Sequence, residues 1–432
     1  MTTQLESAKR GTITEQMRRV AEAEGLPAEK VRLEIAHGRL IIPANVNHRN
    51  LRPLGIGMAL SCKINANIGN SALSSDLGCE LDKLSCAIES GADAVMDLST
   101  GPRIDDIRKA IIERSAVPVG TVPIYEAAEG VERIEDLTSD ALLEVIERHA
   151  QQGVDFVTVH CGLLASHLRL ALTRTTGIVS RGGALTARWM QRNGKENPLY
   201  TEFDRLLEIC LKHDMSLSLG DGLRPGCIAD ASDAAQFAEL DVLGRLVRRC
   251  REAGVQTMVE GPGHVPINEI EMNIRRQIEL CDGAPFYVLG PIVTDIAAGH
   301  DHIASAIGGA IAASAGAAML CYVTPAEHLG LPNADEVRQG VIAHKIAAHA
   351  ADVARGRAHA TNRDLSMAQA RYALDWEEQF KFMLDPIGAR KIWERSRKAE
   401  DPKTKGCEQD PEVCSMCGPK FCAVRMSREL AK

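Results

Sequence analysis

The chain has 432 residues, of which 45% are hydrophobic and 25% charged, an ordinary globular composition that argues against disorder and low complexity. Its formal net charge of -8 argues against a protein that binds nucleic acid through a broad basic surface. No apolar run reaches the roughly 20 residues of a membrane span, and the N-terminus resembles neither a signal peptide nor a transit segment. We therefore expect a cytoplasmic protein.

The chain opens with a helical stretch, TEQMRRVAEAEG, and an extended piece, RLIIPANVN, within an N-terminal segment of residues 1–91. From residue 92, short apolar runs alternate with polar or Gly-rich turns and amphipathic helices. We count eight such runs, at residues 92–98, 117–122, 154–160, 176–180, 215–221, 255–261, 286–290 and 319–324. Apolar strands that alternate with helices are typical of a parallel sheet, and eight units predict an α/β fold, a closed (β/α)8 TIM barrel over residues 92–330. A doubly wound open sheet is the alternative.

Beyond the predicted barrel, apolar residues recur at helical spacing, which predicts a small helical region over residues 331–400. A polar, Pro-containing tether then leads to a cysteine-rich stretch, CSMCGPKFC, within residues 401–432. We expect this tail to be flexible and to bind a metal centre.

Polar residues gather at nearly every predicted strand end, which is where (β/α)8 barrels carry their chemistry. In GIVSRGG, the residues Ser180, Arg181 and Gly182 would offer backbone N–H groups and a guanidinium, which suits a phosphate. GDGLRPG repeats this pattern with Asp221 and Arg224. Tight turns or helix caps are the alternative interpretation of both motifs.

Two histidines lie in loops stiffened by glycine and proline, His264 in EGPGHVP and His328 in TPAEHLGLP. Such loops restrict where an imidazole points, which suits a metal ligand or an oriented proton carrier. Two imidazoles do not fill the coordination shell of zinc, so water or substrate atoms would complete it. Hydrogen-bonded structural histidines are the alternative.

Cys414, Cys417 and Cys422 are separated by two and then four residues, and Cys407 lies shortly before them. Thiolates bind zinc, copper(I) or iron–sulfur clusters. With Cys407 included, four thiolates would make a structural zinc site. If Cys407 stands apart, three thiolates leave one iron of a [4Fe-4S] cluster open to a cofactor.

Nine motifs in order resemble the thiamin pyrimidine synthase family, atypical radical S-adenosylmethionine (SAM) enzymes that rearrange 5-aminoimidazole ribonucleotide (AIR): KINANIGNS, VMDLSTG, GTVPIYEA, TGIVSRGG, SLGDGLRPG, EGPGHVP, YVLGP, LCYVTPAEHLGLPN and CSMCGPKFC. The resemblance covers nearly the whole chain. It implies a (β/α)8 barrel and a flexible C-terminal cluster domain, in a homodimer in which that domain reaches the active site of the other subunit. It also implies an electron donor such as flavodoxin or ferredoxin, and neither a nucleic-acid nor a membrane partner.

The same resemblance implies roles for individual residues. The expected substrate contacts are Asn67, Met96, Tyr125, His160, Ser180, Arg181, Gly182, Asp221, Gly222, Leu223, Arg224, Glu260 and Tyr287. Among them, His160 and Glu260 are the candidates for proton transfer during the rearrangement. The family's two metal ligands, for zinc or another divalent ion, match His264 and His328, and its [4Fe-4S] ligands match Cys414, Cys417 and Cys422. The open iron would hold SAM, whose reductive cleavage gives a radical that abstracts hydrogen from the ribose.

Family members differ in product. One branch makes the phosphorylated hydroxymethylpyrimidine of thiamin, and the other makes 5-hydroxybenzimidazole, a precursor of the cobalamin lower ligand. This chain has Cys161 where alanine is usual, and Ala298, His300 and Ala304 where proline, tyrosine and threonine are usual. Both segments follow predicted strands, so we expect them to face the reaction chamber and change its volume and proton inventory. These departures favour 5-hydroxybenzimidazole, with neutral drift as the alternative.

Two other classes of function fit part of the sequence. A zinc-dependent TIM-barrel hydrolase would explain the histidines and the arginine loops, but it would leave the C-terminal cysteines with a structural role only. A non-catalytic binding module would need only the phosphate loops.

Overall fold

The structure is a computed structural model that describes residues 2–71, 76–101, 103–397 and 412–430. The chain forms two compact units, Met1–Ala351 and Asp352–Lys432. The first unit therefore extends beyond residue 330, where the sequence predicts the barrel to end.

Three helices and a short antiparallel ribbon open the first unit. They are α1 (Gln4–Lys9), α2 (Glu15–Glu24), α3 (Ala28–Ala36), β1 (Leu40–Ile41) and β2 (Ile56–Gly57). The side chain of Thr14 caps α2 by accepting a hydrogen bond from the backbone N–H of Met17 at 3.2 Å. Gly25, at φ 64°, ends the same helix in the left-handed conformation. These elements bury a small apolar cluster of their own.

Eight parallel strands close into a barrel, which confirms the predicted (β/α)8 fold. They are β3 (Lys63–Ile68), β4 (Ala94–Asp97), β5 (Val119–Thr121), β6 (Phe156–Val159), β7 (Ser216–Leu219), β8 (Thr257–Gly261), β9 (Phe286–Leu289) and β10 (Met319–Cys321). The last strand pairs with the first, with Met319 aligned to Lys63, and this pairing closes the sheet. The main apolar core lies in the barrel and beneath the surrounding helices.

The prediction of a strand at residues 176–180 is wrong, and the first barrel strand lies inside the segment predicted as N-terminal. Residues 176–180 form a loop: Ile178 is only half-buried and Val179 is exposed, whereas the barrel strands are almost continuously buried. In β3, Asn65 and Asn67 alternate with apolar residues, so this strand lacks the continuous apolar run by which the other strands were recognised.

Helices surround the barrel. They are α4 (Leu77–Glu89), α5 (Ile104–Arg114), α6 (Pro123–Glu129), α7 (Ser139–Gln152), α8 (Leu168–Ala171), α9 (Arg181–Asn193), α10 (Pro198–Thr201), α11 (Phe203–His213), α12 (Ala234–Ala253), α13 (Ile267–Leu280), α14 (Asp301–Ala315) and α15 (Ala334–Ala354). Short 3-10 helices lie at Ile134–Asp136, Ala165–His167 and Ile228–Asp230.

The second unit is helical. Its helices are α16 (Ala358–Ala373), α17 (Trp376–Phe382), α18 (Pro386–Arg397), α19 (Gly418–Phe421) and α20 (Ala423–Leu430). Trp376 and Trp393 pack with ring centroids 5.6 Å apart and hold α17 against α18. Among the described residues, none of the helices combines the length and apolar character needed to cross a lipid bilayer.

Candidate active site

Most of the predicted substrate contacts line one cavity at the carboxyl ends of the barrel strands. The members of this group are Asn67, Met96, Tyr125, His160, Asp221, Arg224, Glu260 and Tyr287. Their positions follow from the fold, because parallel strands in a barrel all end at the same face. The structure therefore brings together side chains that lie far apart in the sequence.

The predicted contacts of the Ser180–Gly182 stretch lie beside this cavity. Ser180 lies just before α9, and its Oγ is 3.1 Å from Nε2 of His160. The same Oγ accepts a hydrogen bond from the backbone N–H of Gly183 at 3.1 Å, which caps the helix. The guanidinium of Arg181 stacks 4.7 Å from the ring centre of Tyr125. This stretch is therefore a helix start, as its alternative interpretation held, and it is also in contact with the cavity wall.

Two glycines permit close approach at this point. A Cβ on Gly182 would lie 2.2 Å from Cε1 of His160, and a Cβ on Gly183 would lie 2.3 Å from the carbonyl oxygen of Gly222. Leu223, another predicted contact, has a fully buried side chain and does not line the cavity. Gly222 and Leu223 contribute to the site through the backbone.

Glu260, at the end of β8, is held by two hydroxyl groups. Oε1 of Glu260 accepts hydrogen bonds from Oγ1 of Thr158 at 2.7 Å and from Oγ of Ser218 at 3.0 Å. Burial raises the pKa of Glu260, and the Thr158 hydroxyl and the charge of Arg224 oppose that rise. A carboxyl group fixed in this way is suited to give or take a proton at the substrate.

His160, which follows β6, is neutral at physiological pH. Burial lowers its pKa to about 3, and the positive charge of Arg224 acts in the same direction. Its Nδ1 is buried and has no hydrogen-bond partner within the described part of the chain. A neutral imidazole with one nitrogen unpaired can bind a ligand directly.

Asp221 and Arg224 form an ion pair on the cavity wall, with Nη1 of Arg224 3.1 Å from Oδ1 of Asp221. Burial raises the pKa of Asp221 to about 8, although the guanidinium opposes that rise. Oδ2 of Asp221 is buried without a hydrogen-bond partner among the described residues. The pair therefore offers one permanent positive charge and one carboxyl oxygen that a ligand can engage.

Several residues of the site were missed by sequence reasoning. Asn65 donates from Nδ2 to the hydroxyl of Tyr287 at 2.7 Å, and Sγ of Cys321 accepts a hydrogen bond at 3.1 Å from Nδ2 of Asn67, which was predicted. Cys321 and Thr158 also line the cavity. The spacing of the two asparagines in KINANI was an available signal, because residues two apart in a strand face the same side of the sheet.

The two predicted metal ligands lie next to each other. The rings of His264 and His328 have centroids 5.4 Å apart. Nδ1 of His264 is 2.8 Å from Oδ1 of Asp295, and Nδ1 of His328 is 3.1 Å from Oδ2 of Asp301. A carboxylate at Nδ1 orients an imidazole so that Nε2 can bind a metal, so this pair suits a divalent ion such as zinc. No group of three or more His, Cys, Asp or Glu side chains is gathered for a metal in the described ranges.

The cysteine-rich stretch lies in the second unit. Cys414 and Cys422 are half-buried and Cys417 is exposed, immediately before α19. Three thiols within one short stretch are a donor set that suits an iron–sulfur cluster. Cys407 lies outside the described residues.

The expectation that the two departures from the family pattern face the chamber is wrong. Cys161 is fully buried, and its thiol lies 3.6 Å from the carbonyl oxygen of Val159 rather than in the cavity. Ala298 and His300 are exposed just before α14 and do not line the cavity, and Ala304 is buried in a small apolar cluster. None of these four side chains lines the cavity at the barrel mouth.

Comparison with known proteins gives one match over nearly the full chain. The model of the family described as the radical SAM ThiC family matches residues 3–429. Solved structures that align with part of this chain include a dihydropteroate synthase from Coxiella burnetii in complex with pteroic acid, 12% identical, covering 68% of this chain and 94% of that chain at a TM-score of 0.37. Another is the Yersinia pestis dihydropteroate synthase, 14% identical, covering 69% of this chain and 95% of that chain at a TM-score of 0.40. The structural likenesses are distant, whereas the family match is nearly complete.

Proposed function

The chain belongs to the radical SAM ThiC family, and on that premise we propose that it rearranges AIR and releases the phosphorylated hydroxymethylpyrimidine of thiamin. Membership makes it a radical SAM enzyme that catalyses a carbon–carbon rearrangement and uses a [4Fe-4S] cluster and SAM. The cavity at the barrel mouth, with Glu260, His160 and the Asp221–Arg224 pair on one wall, is the observation that carries the choice of substrate.

The substrate phosphate would be held by the arginine loops. Arg224 keeps its charge: burial alone would lower its pKa, but the negative charges around it, chiefly the neighbouring carboxyl group of Asp221, raise it by more. The start of α9, capped by Ser180, adjoins the cavity through the contact between Ser180 and His160, and helix starts favour anions. The guanidinium of Arg181 adds a second charge beside Tyr125.

Two side chains are placed for proton transfer to the imidazole and ribose of AIR. Glu260, fixed by Thr158 and Ser218, would exchange a proton with the substrate, and neutral His160 would accept a hydrogen bond or a proton at Nδ1. His160 is buried and Glu260 half-buried, so closure of the cavity over the substrate would exclude water from the reacting atoms.

The cofactors would be held outside this wall. His264 and His328 would bind zinc or another divalent ion through Nε2, and Cys414, Cys417 and Cys422 would bind the cluster. When bound, cluster and SAM supply an electron and a 5′-deoxyadenosyl radical. A homodimer and a one-electron donor such as flavodoxin or ferredoxin belong to the same proposal.

The alternative product, 5-hydroxybenzimidazole, was favoured by the sequence departures at Cys161 and His300. Neither side chain lines the cavity, so this support is lost and we place the pyrimidine first. No other described feature of the cavity favours the benzimidazole.

One experiment tests reaction and product together. The protein is reconstituted anaerobically with iron and sulfide and incubated with SAM, AIR and a reductant, and the product is identified by mass. We expect about four irons per chain, 5′-deoxyadenosine, and a phosphorylated pyrimidine. Unphosphorylated hydroxybenzimidazole would overturn the product, and SAM left uncleaved would overturn the reaction.

Cysteine variants provide a matched control for the cluster. Cys417 and Cys79 are both exposed, but only Cys417 belongs to the CSMCGPKFC motif. We expect Cys417→Ala to lose the iron chromophore and Cys79→Ala to retain it. Full iron in Cys417→Ala would contradict the assignment.

A further inference from the structure

A second, smaller cavity lies behind the first and shares a wall with it. Asp221, Arg224 and Glu260 line both cavities. The far wall of the second cavity is formed mainly by side chains of α12 and α13, namely Gln236, Glu239, Leu240, Leu243 and Asn273. Its volume of about 20 Å³ is enough for one water molecule. The substrate-binding wall is therefore backed by a small polar chamber.

Glu239 is an acid on the apolar face of α12. Ala235, Leu243 and Leu246, one or two turns along the helix on the same face, are all buried, and Glu239 itself is only 2% exposed. Burial of a carboxyl group costs free energy unless hydrogen bonds or a bound proton compensate for it. The contacts of Glu239 should therefore explain its presence there.

The carboxyl oxygens of Glu239 contact the backbone of the loop that carries Asp221 and Arg224. Oε2 of Glu239 accepts a hydrogen bond from the backbone N–H of Leu223 at 2.7 Å. A Cβ on Gly222 would lie 3.1 Å from Oε1 of Glu239. Oε1 of Glu239 and Oδ2 of Asp221 are both buried without hydrogen-bond partners in the described part of the chain, and both residues line the second cavity.

The charges around Glu239 favour its protonated form. Burial raises its pKa to about 8, and the negative charge of Asp221 adds to that rise, while the backbone N–H groups of Leu223 and Gly222 and the charge of Arg174 oppose it. Asp221 faces Arg224, which lowers its pKa, and Glu260, which raises it. Two neighbouring acids in one small chamber cannot both ionise without a large cost, so they titrate as a coupled pair.

We propose that Glu239 is a positioning residue for the AIR reaction: it fixes the substrate loop through the N–H of Leu223 and shares a proton with Asp221 across the second cavity, so that Asp221 meets the substrate as a hydrogen-bond donor. The proton passes from one carboxyl group to the other through one water molecule in the second cavity, and no other bond changes. The inference rests on the function proposed above.

The test compares AIR affinity as a function of pH in full-length protein kept anaerobic and without SAM, so that no turnover occurs. Isothermal calorimetry gives the affinity for wild type, Glu239→Gln and Glu239→Leu. Asp241→Asn is the control, because Asp241 is an exposed acid on the same helix. Wild-type affinity should fall as pH rises past about 8, where the pair loses its proton.

Glu239→Gln keeps an oxygen for the N–H of Leu223 but carries no ionisable group, so Asp221 loses a like-charged neighbour. We expect AIR affinity below pH 6 to stay within about threefold of wild type. The pH midpoint at which affinity declines in alkaline solution should be lower than in wild type by roughly one unit. Glu239→Leu also loses the backbone acceptor, so we expect affinity to drop about tenfold at every pH. Asp241→Asn should match wild type.

The outcomes separate this inference from the proposed function. If wild type binds AIR and Glu239→Gln shows the wild-type pH midpoint, the inference is overturned and the function stands, because a merely structural glutamate would move affinity without moving the midpoint. If Glu239→Leu does not fold, the glutamine variant still decides. If wild type does not bind AIR at any pH, both the inference and the proposed function are overturned.

Discussion

Replacement of Gly182 with alanine is expected to weaken substrate binding by displacing His160. A Cβ at position 182 would lie 2.2 Å from Cε1 and 2.4 Å from Nδ1 of His160, far closer than any normal contact. The imidazole has little room to retreat, because its other side faces Gly220, whose own Cβ would lie 3.0 Å from Cδ2 of His160. The helix is equally fixed, since Ser180 caps it at Gly183. In the alanine variant, either the imidazole of His160 or the start of α9 must therefore move.

The magnitude follows from the contacts that are lost. Overpacking of this kind costs about 1–3 kcal/mol. Loss of the 3.1 Å hydrogen bond between Ser180 and His160 costs about 1 kcal/mol more. If roughly 2 kcal/mol of this falls on the bound state, AIR affinity drops about 30-fold. Calorimetric titration of AIR gives the affinity, and urea unfolding reports how much of the cost falls on stability.

Gly130→Ala serves as the control for this substitution. Gly130 ends α6, and the nearest atom to an added Cβ there is the carbonyl oxygen of Ala127 at 3.5 Å, an ordinary contact. We expect wild-type affinity and stability for this variant. If Gly182→Ala also bound AIR as wild type does, with unchanged stability, the close packing of His160 against α9 would not be what shapes the site.

Three further changes test other parts of the structure. Thr158→Val removes a donor that lowers the pKa of Glu260, so the acidic limb of the pH–rate profile for product formation should move to higher pH, and an unchanged limb would contradict the role of Glu260. Asp214→Asn removes a carboxyl whose pKa burial raises from 3.8 to about 7. Because the folded protein holds that proton more tightly than the unfolded chain, wild type loses up to roughly 4 kcal/mol of stability as pH rises from about 4 to 7. Urea unfolding should therefore show the free energy of unfolding of the variant rising relative to that of wild type over this range. A difference that stays constant with pH would refute the raised pKa of Asp214. His264→Ala should lower the zinc content of purified protein measured by plasma mass spectrometry, and full zinc retention would show that His264 and His328 do not hold the ion.

The barrel could be predicted from the sequence because most of its strands are apolar runs between amphipathic helices. The exception is β3, whose asparagines face the barrel interior, where Asn65 reaches Tyr287. Polar side chains in that position satisfy one another through partners far away in the chain, and no local pattern reports such a pairing. The strand predicted at residues 176–180 is absent for the opposite reason: its branched residues look like a strand, but Ile178 is only half-buried against the core and Val179 is exposed.

The site residues that stand in motifs at strand ends could be predicted from the sequence, whereas a residue that contacts the site from an outer helix could not. His160, Glu260 and Arg224 stand in recognisable motifs and line the cavity as expected. Glu239 stands in a helix, and its signal was only an acid among apolar neighbours. Conversely, Cys161 follows a strand but points into the core, because the residue after a strand can face either side and sequence position alone does not decide which.

The charges on the cavity wall constrain how an anionic substrate can enter. Asp221 and Glu239 are buried carboxyl groups, the half-buried Glu260 lines the same small cavity, and so does the guanidinium of Arg224. If all three acids were ionised, a phosphate would meet a net negative wall, and repulsion in a buried site is strong. With protons retained on the carboxyl groups, the charge of Arg224 is left for the phosphate. If AIR is the substrate, as we propose, its binding is linked to proton uptake, and its affinity for this wall falls as the acids lose their protons.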